Sequence, residues 1–112
     1  MITDRDFARN RTIYFCFAEP TAQGAGNSTA LASARLSEDS SRLEKVSVIF
    51  RQQPKVSSRA HFGCRIVEAK DGTLFLTLGE RYARMAEAQT LDNHHGKVVR
   101  IGKDGSLSLI HI

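Results

Sequence analysis

Short apolar runs separated by turn signals are the feature that most constrains the fold of this chain. Lys-Asp-Gly at 70–72 stands between residues 62–69 and 73–78, two runs rich in β-branched and aromatic side chains. An Asp-Gly step in that setting is the strongest short-range signal for a β-hairpin. The same alternation of apolar runs and polar breaks recurs along the chain and predicts six strands. These cover residues 12–17, 29–36, 46–50, 62–69, 73–78 and 97–101.

The spacing of the strands predicts an all-β chain. Consecutive runs follow each other at about 10 to 17 residues, and only residues 85–88 suit a single helical turn. Short strands joined by tight turns are typical of sandwiches, barrels and propeller blades. Each half of the chain holds three successive strands, which favours two incomplete propeller blades over one closed barrel.

Composition and charge exclude several classes of protein. The 112 residues make one domain or less, and no apolar stretch approaches the roughly 18 residues that cross a membrane. The 16 Lys and Arg residues against 12 Asp and Glu give a net charge of +4, without a run of five like charges. This distribution favours solvated strand faces over a nucleic-acid interface. The first ten residues, MITDRDFARN, lack the apolar core of a signal peptide.

The cysteines and histidines offer few candidates for chemistry. Cys16 and Cys64 lie in apolar runs, which favours two buried thiols, although a disulfide stays open if the Cα atoms lie within about 7 Å. The adjacent pair His94 and His95 points to opposite faces of an extended chain and makes a poor metal site. His61 starts a predicted strand, from whose end an imidazole can act as a general base. From the residues alone, a surface histidine is the more ordinary interpretation.

The last six residues, LSLIHI at 107–112, have an unusual composition for a chain end. They match the in-frame translation of an adapter used in sequencing libraries, and such a scar is excluded from reasoning about the fold. We therefore expect one partial domain at 1–106 and a non-native tail at 107–112. The alternative is a genuine C-terminal strand.

Three long blocks of sequence carry a resemblance to a known family. They are residues 4–20 (DRDFARNRTIYFCFAEP), 43–80 (LEKVSVIFRQQPKVSSRAHFGCRIVEAKDGTLFLTLGE) and 88–106 (AQTLDNHHGKVVRIGKDGS). The chain resembles the glucose/sorbosone dehydrogenase family, and within it the soluble aldose sugar dehydrogenases that depend on pyrroloquinoline quinone (PQQ). The resemblance implies a fragment of a six-bladed β-propeller, with each blade a four-stranded antiparallel sheet. Residues 11–50 would be the three outer strands of one blade, whose innermost strand lies upstream of Met1, and 61–101 the three inner strands of the next.

The resemblance also implies a mechanism and its site residues. His61, in the motif HFG, takes the place of the family's catalytic base. It would remove the proton from the anomeric hydroxyl of an aldose while hydride passes from C1 to PQQ, giving a lactone. Arg81, in the loop at 80–85 (ERYARM), is the candidate for a sugar contact, with a solvated loop charge as the alternative. Ala60 precedes the base and cannot orient an imidazole, so the orienting partner is left open.

The remaining expectations concern parts that this chain does not contain. The family's PQQ-clamping residues and calcium ligands lie in later blades, so we expect no cofactor-binding or metal-binding residues here and no activity from these residues alone. The whole protein is expected to be a periplasmic or secreted oxidoreductase. The alternative is a non-catalytic propeller module that binds sugars or a partner protein, because a fold does not by itself imply a function.

Overall fold

Two antiparallel sheets follow one another along the chain in this computed structural model, which describes residues 1–22 and 26–111, the last five by their backbone. The first sheet contains, in spatial order, β1 (Ile2–Thr3), β2 (Thr12–Pro20), β3 (Asn27–Leu36) and β4 (Leu43–Arg51). The second contains β5 (Gly63–Glu68), β6 (Leu74–Leu78), β7 (Val98–Ile101) and β8 (Leu107–His111). The described helices are α1 (Phe7–Asn10) and the 3-10 helix Met85–Gln89, and none is long and apolar enough to cross a membrane.

The all-β prediction is confirmed, and each of the six predicted strands is present. Their ends shift by at most three residues, and the helical turn expected at 85–88 is the 3-10 helix. The hairpin of β5 and β6 forms as predicted, with the Gly72 N–H donating to the Ala69 carbonyl at 3.0 Å. Gly72 has φ +89°, a left-handed conformation that glycine adopts without steric cost.

The first sheet begins earlier than the sequence indicated. β1 pairs with β2 through Ile2↔Tyr14 and Thr3↔Ile13, so the innermost strand of this sheet lies at least partly within the chain. The expectation that it lies entirely upstream of Met1 is wrong. Two residues are too few to show a period-two alternation, and only the pairing with β2 reveals the strand.

The end of the chain completes the second sheet. The backbone of β8 pairs antiparallel with β7, with Val98↔His111 at one end and Ile101↔Leu107 at the other. Ile112 and the side chains of 107–111 lie outside the described residues. The expectation of a non-native tail at 107–112 stays a prediction, since backbone pairing does not reveal where a sequence comes from.

One apolar cluster joins the two sheets. From the first sheet it includes Tyr14, Leu31 and Phe50, each nearly inaccessible to solvent. Alternate residues of β6 and β7 supply most of the remainder, as expected for strands with one buried face. From the second sheet, the cluster contains Ile66 of β5, Leu74, Leu76 and Leu78 of β6, and Val99 and Ile101 of β7.

A disulfide crosses from the first sheet to the second. Cys16 on β2 and Cys64 on β5 are bonded, with Cα atoms 6.5 Å apart and a separation of 48 positions in sequence. The favoured prediction of two buried thiols is therefore wrong. The two strands come from different sheets and meet only in the folded chain, so nothing in the local sequence distinguishes a bonded pair from free thiols.

A polar cluster holds the two sheets together at the end of β5 remote from His61. The Lys103 ammonium donates to Asp4 Oδ1 at 2.7 Å and to Glu68 Oε2 at 2.8 Å. The Arg5 guanidinium donates to Glu68 Oε2 at 2.6 Å, and the Tyr14 hydroxyl donates to Asp4 Oδ1 at 2.6 Å. Burial alone would raise the pKa of Asp4, but the hydrogen bonds from Lys103 and Tyr14 outweigh it and hold this pKa far below its usual range.

Candidate functional site

The segment before β5 and the segment after β6 lie side by side at one edge of the second sheet. Gly63 pairs with Leu78 in the hairpin register, so the residues just outside these positions are neighbours. The Gly79 N–H donates to the Phe62 carbonyl at 3.1 Å, and the Arg81 N–H donates to the His61 carbonyl at 3.0 Å. These backbone hydrogen bonds bring His61, one candidate residue, next to the loop at 80–85, which contains the other candidate, Arg81.

Gly79 is required by the close approach of the two segments. A Cβ atom built at this position would lie 1.9 Å from the carbonyl oxygen of His61, which is far inside any van der Waals contact. His61 itself has φ 54°, and Arg81 and Tyr82 each have φ 61°. A left-handed backbone costs a non-glycine residue about 1–2 kcal/mol. Three such residues in one place are typical of a functional site, where the surrounding structure imposes the strain.

The imidazole of His61 contacts the Glu80 carboxylate. Nδ1 of His61 faces Glu80 Oε1 at hydrogen-bond distance or closer, and the His61 side chain is 49% exposed. A carboxylate accepts hydrogen bonds, so Nδ1 carries the proton and the lone pair of the neutral ring lies on Nε2. The hydrogen bond from His61 lowers the pKa of the Glu80 carboxyl from its ordinary value, which keeps Glu80 ionised at neutral pH. Glu80 is thus the orienting partner that the sequence left open.

Tyr82 forms an exposed rim beside this pair, and Met85 follows three residues later in the chain. The Tyr82 ring meets the His61 ring edge-on, with centroids 5.3 Å apart, and the Tyr82 N–H donates to Glu80 Oε1 at 3.2 Å. Tyr82 is 59% exposed and Met85 is 58% exposed. An exposed aromatic ring against a candidate base offers an apolar face on which a ligand can pack.

Arg81 lies inside the molecule rather than at its surface. Its relative accessibility is 0%, and its guanidinium donates to the carbonyl oxygens of Asn27 and Ala60 at 2.8 and 3.1 Å. Burial lowers the pKa of this guanidinium from its ordinary value. The alternative of a solvated loop charge is wrong, because the strained loop turns the side chain inward. A direct sugar contact by Arg81 stays a prediction, and the described contacts of the guanidinium are with protein atoms.

His94 and His95 anchor the loop after the 3-10 helix. From the sequence alone, this pair is considered only as possible metal ligands. His94 packs on Phe50 with ring centroids 5.1 Å apart, and His95 Nε2 lies 2.9 Å from the Pro54 carbonyl oxygen. The two side chains thus contact different residues. Burial lowers the pKa of His94 from its ordinary value, which keeps its ring neutral. Among the described residues, no group of three or more His, Cys, Asp or Glu is arranged to hold a metal ion.

Gln52 is a second anchor that sequence reasoning missed. Its side chain is fully buried, and its Nε2 donates to the Gly79 carbonyl at 2.7 Å. Its Oε1 accepts from the Thr29 N–H at 3.3 Å, so the first sheet is tied directly to the residue that precedes Glu80. The hairpin register could have indicated Glu80 as a neighbour of His61, whereas no local signal points from Gln52 to a loop 27 residues away.

Comparison with known proteins agrees with this architecture. The family model for glucose/sorbosone dehydrogenase matches residues 1–109. The aldose sugar dehydrogenase YliI of Escherichia coli (strain K12) is 40% identical over 102 residues, which are 91% of this chain and 27% of that protein. The chain therefore spans about a quarter of the length of that curated relative.

Solved structures of sugar dehydrogenases match the same part of the chain. A crystal structure of a glucose dehydrogenase superposes with a TM-score of 0.86 at 44% identity, covering 94% of this chain and 30% of the other. The apo-form of the soluble aldose sugar dehydrogenase from Escherichia coli gives 0.84 at 39% identity, with 93% and 29% covered. The fold is that of part of a sugar dehydrogenase propeller. The chain belongs to the glucose/sorbosone dehydrogenase family.

Proposed function

We propose that this chain carries the general base of a PQQ-dependent dehydrogenase that oxidises aldoses to lactones. The observation that carries the proposal is the contact of the half-exposed His61 with Glu80 at the start of β5. The family match supports sugar oxidation as the reaction of the whole protein. Bound PQQ supplies the two-electron oxidant for such a reaction.

The contribution of this chain is proton transfer. Nε2 of His61 accepts the proton of the anomeric hydroxyl, and the electron density left on that oxygen favours loss of the C1 hydrogen with its electron pair. Glu80 fixes the ring and stabilises the imidazolium that forms, because its carboxylate lies against Nδ1. The exposed ring of Tyr82 lies edge-on to the His61 ring, so a sugar bound at Nε2 would meet it.

The two arginines of the loop at 80–85 do not suit a clamp for PQQ, which carries three carboxylates and requires basic side chains around it. The guanidinium of Arg81 is buried against protein oxygens, and Arg84 pairs with Glu87 at 3.1 Å. We therefore place the clamp, and the calcium ligands that the resemblance implies, in parts of the whole protein outside this chain. The chain alone is accordingly proposed to be inactive.

The disulfide supports an oxidising location for the whole protein. Bonds such as Cys16–Cys64 form and persist in the periplasm or outside the cell, whereas thiols stay reduced in the cytosol. We propose export to the periplasm or secretion.

The test of the proposed function is removal of the base in the whole protein loaded with PQQ and calcium. For His61→Ala, we expect aldose turnover to fall by about 10²–10⁴-fold, the usual contribution of a positioned acid–base group. Lys70→Ala, at the exposed hairpin turn, is the control and keeps its turnover. Unimpaired turnover in His61→Ala would remove this residue from the role. A titration with PQQ followed by absorbance separates an enzyme from the non-catalytic alternative, which does not bind the quinone.

A further inference from the structure

We infer that Arg81 is a positioning residue, and that its buried guanidinium holds the backbone before His61 and the ring of Phe62 after it. This inference rests on the proposed function of His61 as a base. It assigns Arg81 a role in turnover that does not require contact with the sugar.

The guanidinium binds three backbone carbonyls from two separate segments. Nε donates to Ala60 O at 3.1 Å and Nη2 donates to Ser58 O at 2.5 Å, both in the segment that leads into the base. Nη1 donates to Asn27 O at 2.8 Å, and Nη2 also contacts Asn27 Oδ1, both at the start of β3. The guanidinium therefore ties the segment before His61 to the first sheet.

Contacts of the same residue reach His61 itself and the residue after it. The Arg81 N–H donates to the His61 carbonyl at 3.0 Å. The guanidinium carbon lies 3.7 Å from the centroid of the Phe62 ring, a cation–π contact. The Phe62 carbonyl in turn accepts from Thr29 Oγ1 at 2.8 Å. Positions 58, 60, 61 and 62 thus each contact Arg81.

A buried cation of this kind is retained for its geometry. The acceptors named above are neutral carbonyl and amide oxygens, so the guanidinium serves here as a rigid fork of donors rather than as half of an ion pair. Lysine offers three donors on a flexible stem and has no planar face to stack on Phe62. Replacement of Arg81 by Lys therefore removes the arrangement even though the charge is kept.

The position of the imidazole depends on this arrangement. His61 has φ 54° and its carbonyl lies where any side chain at Gly79 would clash, so the surrounding contacts determine its backbone. If the segment at 58–62 relaxes, the contact between Nδ1 and Glu80 loosens and Nε2 moves relative to the sugar. A displacement of about 1 Å at a catalytic group can lower the rate about 10²-fold.

The experiment separates positioning from sugar binding by measuring kcat and KM for several aldoses in the whole, PQQ-loaded protein. For Arg81→Lys we expect kcat to fall about 10²-fold, while KM stays within about threefold for every aldose. We also expect the acid limb of the pH profile of kcat/KM to move. Arg84→Lys is the matched control in the same loop, where the side chain is 46% exposed, and we expect kcat within about twofold of the parent protein.

Two results would overturn the inference. A sugar contact would raise KM to different extents for different aldoses and leave kcat in place. A merely structural role would lower the unfolding temperature and leave kcat and the pH profile of the folded, loaded fraction unchanged. If Arg81→Lys does not fold, Asn27→Ala decides, because it removes the amide acceptor of the guanidinium on β3. We then expect kcat about tenfold lower, and an unchanged kcat contradicts the inference.

The outcome for His61→Ala distinguishes the inference from the function on which it rests. Full turnover in that variant removes the proposed function, and the inference with it. Lost turnover in His61→Ala together with normal kcat in Arg81→Lys removes the inference alone.

Discussion

One carboxylate determines which nitrogen of His61 is available to a substrate. Glu80 Oε1 contacts Nδ1 of the imidazole and also accepts the N–H of Tyr82 at 3.2 Å, so a single side chain holds both the base and the rim. Glu80 follows Gly79, whose backbone packs directly against the carbonyl of His61. Backbone packing therefore fixes the position of Glu80. The orientation of the base is therefore built into the hairpin of β5 and β6.

The role of Glu80 predicts unequal effects for two substitutions. Glu80→Gln keeps an acceptor oxygen for Nδ1 and loses the charge, so we expect aldose turnover of the whole protein to fall about tenfold. Glu80→Ala loses both, and we expect a fall of about 10²-fold. Steady-state rates at saturating aldose measure this difference, with PQQ affinity checked by titration. Equal rates for the Gln and Ala variants would show that Glu80 does not orient the ring.

At the scale of elements, β2 and β5 are joined covalently only three residues after the candidate base. The disulfide from Cys16 to Cys64 spans 48 residues of sequence and connects the two sheets. Loss of such a cross-link enlarges the conformational freedom of the unfolded chain. The bond therefore stabilises the contact between the sheets chiefly through the unfolded state.

We expect the double variant Cys16→Ala, Cys64→Ala to be less stable than the parent protein. For a loop of this length, the chain-entropy account gives a loss of about 4 kcal/mol in the free energy of unfolding. Denaturant unfolding of the whole protein measures the loss, and dithiothreitol should reproduce it in the parent while leaving the double variant unchanged. Two alkylatable thiols in the non-reduced, denatured protein would contradict the bond.

The strands could be predicted from the sequence alone, whereas most contacts between the sheets could not. Strands β2 to β7 follow from alternation and from the Asp-Gly turn, because both are local patterns. The disulfide joins residues 48 positions apart, and the buried Arg81 contacts Asn27, 54 positions away. The sequence has no periodic signal for contacts over such distances along the chain. The start of a predicted strand makes His61 a candidate, and only the resemblance gives it a role. Its partner Glu80 follows from the register of the hairpin.

The whole molecule is held at two places by groups whose charge depends on pH. Asp4 must be ionised to accept from Lys103 and Tyr14. His94 must be neutral, since burial lowers its pKa and its Nδ1 accepts the Gln53 N–H at 2.9 Å. Both groups have a lower pKa in the folded chain than in the unfolded chain, so the unfolded chain takes up protons first as the pH falls.

We therefore expect stability to fall in two stages on acidification. The contribution of His94 is present above about pH 6.5 and declines below it, whereas that of Asp4 is present above about pH 4 and declines as the pH falls further. Unfolding temperatures of the whole protein between about pH 3 and 8 measure both stages. Asp4→Asn should be less stable at neutral pH and should show a smaller lower stage, to which other carboxyls of lowered pKa, such as Glu68, also contribute. An identical acid profile in that variant would show that Asp4 does not hold the sheets together.

The close approach at Gly79 has a practical consequence for protein engineering. Position 79 admits no side chain because of the His61 carbonyl, and position 81 faces inward, so random libraries there would consist mostly of misfolded clones. Positions 82 and 85 lie open to solvent on the same short loop. Diversity therefore belongs at position 82, whose ring lies against the imidazole of His61, and at the exposed position 85, where new side chains do not displace the backbone of His61.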